Sequence, residues 1–444
     1  MNRFYSPLLN PTYEGINADD YCIATYLVGA EKDEEPVLKA ASIGIEQTTG
    51  SWIDVPAETD EMREKYCSKI LGVYEVPDYE NMANVNMNVK EGQKRFYIFR
   101  IGYPVANIEN NIPLFFATIT GNITSMPYLR LLDVDFPAKF AAQFKGPQFG
   151  IKGIREVLGV PERPLLNNMI KPCTGYTPDV GAKLFYEAAV GGVDIIKDDE
   201  LIGGDRSFNK LADRVRANMD AAKRADAEKG ETTLYACNIT DEVGKLKDNA
   251  MTVIKNGGNC IMIDSFCTGL SAMRALAEDP DINVPILSHC CFGPALSVSE
   301  YQGVSSLVLT KLARLCGADI HLTEPPYGKF DITFNKYIRN ITACESKFYD
   351  LNTIFPFVGG GVIPGLVPQL VHDIGNDVLL GVGAGIHGHP MGPRAGAVAF
   401  RQAIDAVMNN VPLRKAMKGK EELTAAIDKW GIYGEEKIKD LYAI

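Results

Sequence analysis

The feature that most constrains this chain is a regular alternation of strand-like and helix-like segments from about residue 168 onward. Runs rich in β-branched and aromatic residues predict strands, and longer amphipathic stretches predict helices. Eight strand–helix units over about 250 residues favour an α/β fold with a (β/α)8 TIM barrel. An open doubly wound sheet is the alternative, but it gives no reason for eight successive units. The predicted barrel strands are 168–172, 193–199, 234–240, 260–266, 285–290, 319–323, 354–358 and 378–382.

The residues before the barrel mix both kinds of signal and predict a smaller α+β domain. Its predicted strands are 23–28, 94–101 and 113–119, and its partly helical stretches are 32–49 and 123–134. We therefore predict an N-terminal domain at 1–140, a linker at 141–164, the barrel at 165–410 and a C-terminal helical extension at 411–444.

Charge and cysteine content exclude several classes of protein. The chain has 45 basic and 56 acidic residues, a net charge of -11, which argues against nucleic acid or an anionic membrane as a partner. No basic-then-apolar leader and no apolar run of membrane-spanning length is present, so we expect a cytoplasmic protein. The ten cysteines contain no CxxC pair, so neither a zinc knuckle nor a disulfide framework is indicated.

The second predicted barrel strand ends in four ionisable residues, Lys197-Asp198-Asp199-Glu200. Side chains alternate along a strand, so Lys197 and Asp199 share one face and Asp198 takes the other. Glu200 falls where the strand ends. A surface ion pair is one interpretation, but a lysine beside carboxylates at the mouth of a barrel is also typical of a metal or catalytic site.

Polar residues and glycines follow the other predicted strands as well. Chemistry in TIM barrels takes place at the carboxyl ends of the strands, and phosphate often binds after strands seven and eight. Each glycine run taken alone is usually a tight turn, but two runs at these positions favour a phosphate site. The residues concerned are Lys171, Asn238, Asp264, His289, His321, Gly359-Gly360-Gly361 and Gly383-Ala384-Gly385.

These residues, in this order, resemble the large subunit of RuBisCO over nearly the whole chain. The resemblance rests on Ile170-Lys171-Pro172, the segment 191–200, His289, Gly328-Lys329 and Gly388-His389-Pro390. Two N-terminal segments, 46–52 and Thr120-Gly121-Asn122, resemble those by which the family reaches into a partner's barrel.

The resemblance implies a metal site and catalytic roles. Lys197 would react with CO2 and become a carbamate, which with Asp199 and Glu200 offers oxygen ligands to Mg2+. The metal would polarise a substrate carbonyl and stabilise an enolate. Lys171 would transfer protons if its pKa is lowered. His289 would lie in the site, and Lys329 would lie on a mobile loop or be a plain surface lysine.

The resemblance also implies a substrate site that is shared between two chains. The partner chain would supply Ser51, Trp52 and Asn122, so a homodimer, or a higher oligomer of dimers, is expected. One phosphate of the substrate would be held by Gly360, Gly361, Gly383, Ala384 and Gly385.

Several positions depart from the carboxylases of the family. Cys173 replaces a lysine that serves carboxylation, and Cys290 replaces an arginine. The family's histidine on the sixth strand aligns with Leu322, and the neighbouring His321 faces the other way. Gly359 replaces a serine. The second phosphate site and the carboxylation machinery are therefore expected to be missing.

This pattern resembles the non-carboxylating, type IV branch known as RuBisCO-like proteins. It implies tautomerisation, isomerisation or decarboxylation of a monophosphorylated keto-sugar or diketo substrate through an enolate, in methionine salvage or sugar-acid catabolism. The salvage enolase shares Tyr327-Gly328 but lacks the lysine present here as Lys329. A genuine ribulose-1,5-bisphosphate carboxylase and a non-catalytic binding or assembly protein are the alternatives.

Overall fold

The computed structural model describes residues 3–50, 53, 55–76, 90–330 and 332–435. The chain divides into two compact units, Met1–Phe144 with Phe292–Leu309, and Lys145–Cys291 with Thr310–Ile444. The first carries an open sheet and the second a closed barrel of eight strands.

The strands of the described residues are numbered β1 to β13 in chain order. They are β1 Tyr21–Ala30, β2 Lys69–Val76, β3 Arg95–Pro104, β4 Leu129–Asp135, β5 Leu165–Met169, β6 Ile195–Lys197, β7 Leu234–Asn238, β8 Cys260–Asp264, β9 Ile286–His289, β10 Gly303–Val304, β11 Ile320–Thr323, β12 Phe355–Gly359 and β13 Leu379–Val382.

The helices are numbered in the same way. They are α1 Pro36–Glu46, α2 Asp60–Tyr66, α3 Val105–Ile108, α4 Ile112–Ile119, α5 Ala138–Ala141, α6 Gly150–Leu158, α7 Pro178–Val190, α8 Leu211–Lys229, α9 Leu246–Lys255, α10 Ser265–Thr268, α11 Leu270–Ala277, α12 Gly293–Ser297, α13 Ser306–Leu315, α14 Phe334–Glu345, α15 Val367–Ile374, α16 Ala384–His387, α17 Pro393–Met408, α18 Leu413–Ala416 and α19 Glu421–Trp430.

The barrel confirms the predicted fold class. Its strands pair in parallel in the circular order β11-β12-β13-β5-β6-β7-β8-β9, and each of the eight predicted barrel strands overlaps one of them. Its interior is filled by inward-facing apolar side chains, among them Leu165, Ile195, Met262 and Phe357. Ile154 of α6, in the segment predicted as a linker, belongs to the same buried cluster.

The open sheet of the first unit has the order β10-β4-β1-β3-β2. Its strands are antiparallel except for the short β10, which pairs in parallel with β4. One sequence expectation was wrong here, and a second was right only in part. The segment 113–119 is helix α4 and not a strand, and 123–134 is a short 3-10 helix, Asn122–Ser125, followed by β4.

Within the described residues, no helix combines the length and the apolar character that crossing a bilayer requires.

Candidate active site

The end of β6 sets up the centre of the site. Ile195 faces the barrel interior. Because side chains alternate along a strand, Lys197, two residues later, faces inward as well, and it is 1% exposed. Its Nζ donates to the Asp198 carbonyl at 2.8 Å and lies 3.7 Å from Glu200 Oε2. Asp199 is also buried, at 2% exposure. The predicted metal ligands therefore lie together at the carboxyl end of one strand.

Lys171 joins this cluster from the neighbouring strand. It lies two residues beyond the end of β5, and its Nζ is 2.8 Å from both Asp199 Oδ2 and Cys173 Sγ. Burial alone would lower the pKa of Lys171, but the hydrogen bonds to Asp199 and Cys173 raise it above its usual range. Burial also works against ionised Asp199, yet the bond from Lys171 and the charge of Lys197 lower its pKa. In this arrangement Lys171 is a cation paired with Asp199, and the lowered pKa that proton transfer requires is not present.

Asp198 lies on the other face of the strand, as alternation predicted, and it has a structural role there. Its carboxylate accepts hydrogen bonds from Arg214 Nε at 3.0 Å, Tyr235 Oη at 2.8 Å and the Asn238 backbone at 3.0 Å. Arg214 and Asp198 are almost fully buried. The Asn238 side chain in turn donates to the carbonyls of Asp199 and Glu200 at 3.3 and 3.4 Å. This network fixes the backbone that carries the inward-facing ligands.

The fifth and sixth barrel strands place their histidines differently. His289, at the end of β9, is buried, and its Nε2 lies 3.5 Å from Glu200 Oε2. Burial first, and then the charge of Lys197, hold the pKa of His289 well below its usual value. His321 is buried on the other face of β11, where its Nδ1 lies 3.1 Å from Ser288 Oγ, while Leu322 packs on the barrel interior. His321 therefore does not take the place of the family's histidine.

The two glycine turns lie after β12 and β13, as predicted. Gly360 and Gly361 have φ of 108° and 96°, a conformation that glycine adopts readily. The loop that follows β11 packs on the first turn, where the Lys329 backbone donates to the Gly360 carbonyl at 3.0 Å. The Lys329 side chain is exposed, with Nζ 5.6 Å from the centroid of the Phe330 ring. Tyr327 of this loop donates to Asp373 at 2.6 Å.

The remaining turn and N-terminal residues are placed as follows. Gly383 and Gly385 are buried, and Ala384, between them, is exposed at the start of α16. Asn122 is exposed at the start of the 3-10 helix in the first unit. Ser51 and Trp52 lie outside the described residues. The roles of all these positions stay predictions.

Two features of the site were missed by sequence reasoning. The first is Arg214, whose position in the first turn of the amphipathic helix α8 gave no sign that it pairs with Asp198. The second is a group of side chains of the types that can bind a metal, around the end of β8, formed by Asp264, His289 and Cys291. Their spacing in sequence resembles no metal motif, and only the pairing of β8 with β9 brings them together.

Two family models together match most of the chain. The model of the ribulose bisphosphate carboxylase large chain N-terminal domain matches residues 8–140, and that of the catalytic domain matches 150–430. The chain belongs to the RuBisCO large-chain family. Family membership implies a metal-dependent active site.

The chain also has close relatives outside the carboxylases. It is 47% identical to a ribulose bisphosphate carboxylase-like protein of Archaeoglobus fulgidus, which it matches over 94% of each chain. It is 37% identical to a 2,3-diketo-5-methylthiopentyl-1-phosphate enolase of Geobacillus thermodenitrificans, over 92% of this chain and 98% of the relative. The sequence is thus similar to RuBisCO-like proteins over almost its full length.

Solved structures of the family are also similar to this chain over almost its full length. A rubisco-like protein (MtnW) of Alicyclobacillus acidocaldarius superposes with a TM-score of 0.84 at 33% identity, over 93% of this chain and 100% of the other. A dimeric archaeal RuBisCO of Hyperthermus butylicus superposes with a TM-score of 0.85 at 29% identity, over 95% and 98%. The similarity to such assemblies supports an oligomeric protein.

Proposed function

We propose that this chain is a non-carboxylating RuBisCO-like enzyme that enolises a monophosphorylated keto or diketo compound. The observation that carries the proposal is the convergence of Lys197, Asp199 and Glu200 in a site where Cys173 and Cys290 stand in place of the family's lysine and arginine. The groups for proton abstraction beside a carbonyl are kept. Those expected to serve carboxylation and a second phosphate are replaced by small thiols.

The residues at this centre fit a magnesium ion once Lys197 is carbamylated. The Lys197 ammonium would first lose one proton, and the neutral amine would then add to CO2, forming an N–C bond and losing a second proton, so the side chain would change from cation to anion. The carbamate, Asp199 and Glu200 then offer the oxygen atoms that Mg2+ prefers. When bound, the ion polarises the substrate carbonyl and lowers the pKa of the adjacent C–H.

The surrounding residues position this centre and the substrate. Asn238 and the Asp198–Arg214 pair hold the backbone of the ligand segment from outside the barrel. His289 Nε2 lies 3.5 Å from Glu200 Oε2, where it would orient that carboxylate. Lys171 lies beside Asp199. If Asp199 ligates the ion, Lys171 would lose this acceptor, and burial would then lower its pKa toward the range that proton transfer requires.

The glycine turns support a substrate with one phosphate. Backbone N–H groups in such turns can approach an anion closely, because no side chain intervenes. With Cys290 in place of an arginine, a second phosphate dianion would be poorly paired, and burying it would be costly. A bisphosphate is therefore a poor substrate for this site.

Among known chemistries, 2,3-diketo-5-methylthiopentyl 1-phosphate is the first substrate to test, because a relative with that activity matches at 37% identity over nearly all of both chains. Lys329 distinguishes this chain from the salvage enolase pattern, so isomerisation or decarboxylation of a related keto phosphate belongs in the same assay. We further propose a cytoplasmic homodimer, in which Ser51, Trp52 and Asn122 of one chain complete the barrel site of the other.

The test is proton exchange in deuterated water with Mg2+ and bicarbonate. Diketo and ketose monophosphates are offered one at a time, and deuterium at the carbon beside the carbonyl is followed by NMR. We expect uptake with at least one substrate, and no fixation of labelled CO2 onto ribulose 1,5-bisphosphate. Labelled carboxylation product would instead establish a genuine carboxylase.

A matched pair of variants separates catalysis from a non-catalytic binding role. Lys197→Met should abolish the exchange, whereas Lys223→Ala, on an exposed stretch of α8 where the side chain is 76% exposed, should not change it. Exchange that survives in Lys197→Met, or is absent with every substrate in the wild type, would reject the proposed enolase.

A further inference from the structure

A second cluster of potential ligand atoms lies at the ends of β8 and β9. Asp264 ends β8 and His289 ends β9, and the two are direct partners in the register of the paired strands. Cys267 follows in α10, and Cys291 lies two residues beyond His289. The pairing of two neighbouring barrel strands thus brings together one carboxylate, one imidazole and two thiols.

The distances within this cluster are short. The sulfur atoms of Cys267 and Cys291 are 3.5 Å apart, and His289 Nδ1 is 3.8 Å from Asp264 Oδ1. The ligand atoms of Asp264, His289 and Cys291 all lie within 4.8 Å of one another. Tetrahedral Zn2+ has bonds of about 2.0–2.3 Å, which separate its ligand atoms by about 3.3–3.8 Å. Shifts of about 1 Å would therefore bring the ligand atoms of Asp264, His289 and Cys291 to a common ion, and Cys267 Sγ already lies at a ligand-to-ligand distance from Cys291 Sγ.

An independent observation at Asp264 indicates a missing ligand. The residue is 4% exposed, and among the described residues its Oδ1 has no hydrogen-bond partner. Buried acceptors are almost always satisfied, so an orphaned carboxylate oxygen that faces an imidazole and a thiol calls for an explanation.

We infer that Asp264, Cys267, His289 and Cys291 bind a thiophilic divalent cation of the Zn2+ class, at a second site next to the Lys197 centre. The donor set of one nitrogen, one oxygen and two sulfurs matches the ligands that zinc takes in proteins, and magnesium does not favour sulfur. Cys267 is exposed, which gives the ion a path from solvent.

The two metal centres share one connecting residue. His289 Nδ1 accepts a hydrogen bond from the Cys291 backbone at 3.2 Å. On cation binding, Nδ1 would exchange this hydrogen bond for a bond to the metal. His289 Nε2 continues to face Glu200 at 3.5 Å, as carboxylates commonly face ligating histidines. Binding of a cation at the thiol site would therefore affect the Lys197 centre through the imidazole of His289.

Cobalt is the probe that distinguishes the two centres. Full-length protein, made metal-free and reduced under anaerobic conditions, is titrated with Co2+ in excess Mg2+. We expect about one Co2+ per chain to produce sulfur-to-cobalt charge-transfer absorption and visible bands of tetrahedral intensity. Zn2+ should bleach both. The carbamate, Asp199 and Glu200 of the Lys197 centre are oxygen ligands, but the Cys173 thiol lies beside Lys171 and Asp199. The titration is therefore repeated in Cys173→Ser, where the charge-transfer band should persist.

Single substitutions assign the ligands. Cys267→Ser, at an exposed position where folding is not at risk, should reduce the charge-transfer intensity and weaken Co2+ affinity by about 100-fold or more, and Cys291→Ser should do the same. Cys290→Ser, the neighbouring thiol, and Lys197→Met should leave the spectrum unchanged.

Three outcomes would overturn the inference. They are the absence of a charge-transfer band in the wild type, a spectrum unaffected by Cys267→Ser and Cys291→Ser, and a Cys267–Cys291 disulfide found by peptide mass spectrometry in protein purified anaerobically without reductant.

Discussion

The charges around Lys197 imply that its carbamylation decides whether the site attracts a divalent cation. With both lysines protonated, Lys171 and Lys197 balance Asp199 and Glu200, and the formal charges of the four side chains sum to zero. Such a site has no electrostatic reason to attract a divalent cation. Carbamylation changes the charge of Lys197 by two units, and the sum becomes the complement of one Mg2+ ion.

This balance predicts that Mg2+ affinity depends on CO2. In wild-type protein, bicarbonate should tighten Mg2+ binding by about ten-fold or more, which corresponds to about 1.4 kcal/mol of binding free energy. Calorimetric titration with and without bicarbonate measures it. In Lys197→Met the dependence should vanish, and in the exposed Lys223→Ala it should persist. Equal Mg2+ affinity in CO2-free and bicarbonate buffer would contradict the carbamate.

The buried pair of Asp198 and Arg214 predicts a large effect on stability. Asp198→Ala leaves the Arg214 guanidinium buried without its counter-charge, which costs about 3–5 kcal/mol. Thermal unfolding should show a clearly lowered Tm. The double variant Asp198→Ala/Arg214→Met should recover part of this loss, because the uncompensated charge is gone. A double variant that is as unstable as the sum of both single variants would show that the pair does not act as a unit.

The buried His321 predicts a pH dependence of stability with a definite sign. Burial lowers the pKa of His321 to about 4, whereas the unfolded chain has about 6.5. Between these values the unfolded state binds the proton and the folded state does not, so stability is lost as pH falls through this window. The loss amounts to about 3 kcal/mol. His321→Asn, which keeps a partner for Ser288, should show a flatter decline of Tm from pH 7 to pH 4.5 than the wild type.

His372 provides the control for that measurement. It is exposed on α15, so His372→Asn should reproduce the wild-type profile. If His321→Asn declines as steeply as the wild type, His321 is not the group that titrates.

At the scale of elements, periodicity and length were sufficient to predict the barrel, because eight buried strands leave a strong apolar signal. The error at 113–119 had a local cause. The apolar run there is β-prone, but Asn111 accepts a hydrogen bond from the Leu114 backbone at 2.9 Å, and Pro113 lies in the first turn. These two residues mark a helix start, and they should have outweighed the composition of the run.

Only those parts of the site that lie along a single strand could be predicted from the sequence. Alternation along β6 correctly gave the directions of Lys197, Asp198 and Asp199, since that rule is local. Contacts between strands, such as Asp264 with His289, depend on the register of paired strands, which no spacing along the chain encodes.

The loop after β11 predicts a packing effect on substrate binding. A Cβ at Gly328 would overlap the Gly360 carbonyl, so Gly328→Ala must push this loop away from the first glycine turn. We expect kcat/KM for the exchange reaction to fall by about 10- to 100-fold, because a displacement of about 1 Å at a binding site can cost that much. Gly244→Ala is the matched control, since a Cβ there meets nothing within 4 Å. If the two variants have equal kcat/KM, the loop after β11 does not contribute to the substrate site.

At the scale of the whole molecule, the proposed sharing of sites between two chains leads to a prediction about mixed dimers. Asn122 belongs to the first unit, in which it is exposed, and Lys197 belongs to the barrel. Asn122→Ala and Lys197→Met should each inactivate every site of their own homodimer. In a mixed dimer, one site combines both substitutions and the other combines neither.

Random mixing therefore restores about one quarter of the wild-type sites, because half of the dimers are mixed and each has one intact site. The measurement is exchange activity after the two inactive variants, carrying different affinity tags, are co-expressed and the doubly tagged dimer is isolated. That dimer should have about half of the wild-type activity per mole of dimer. If each chain built its sites alone, every site in the mixed dimer would carry one of the two substitutions, and the isolated dimer would be as inactive as its parents.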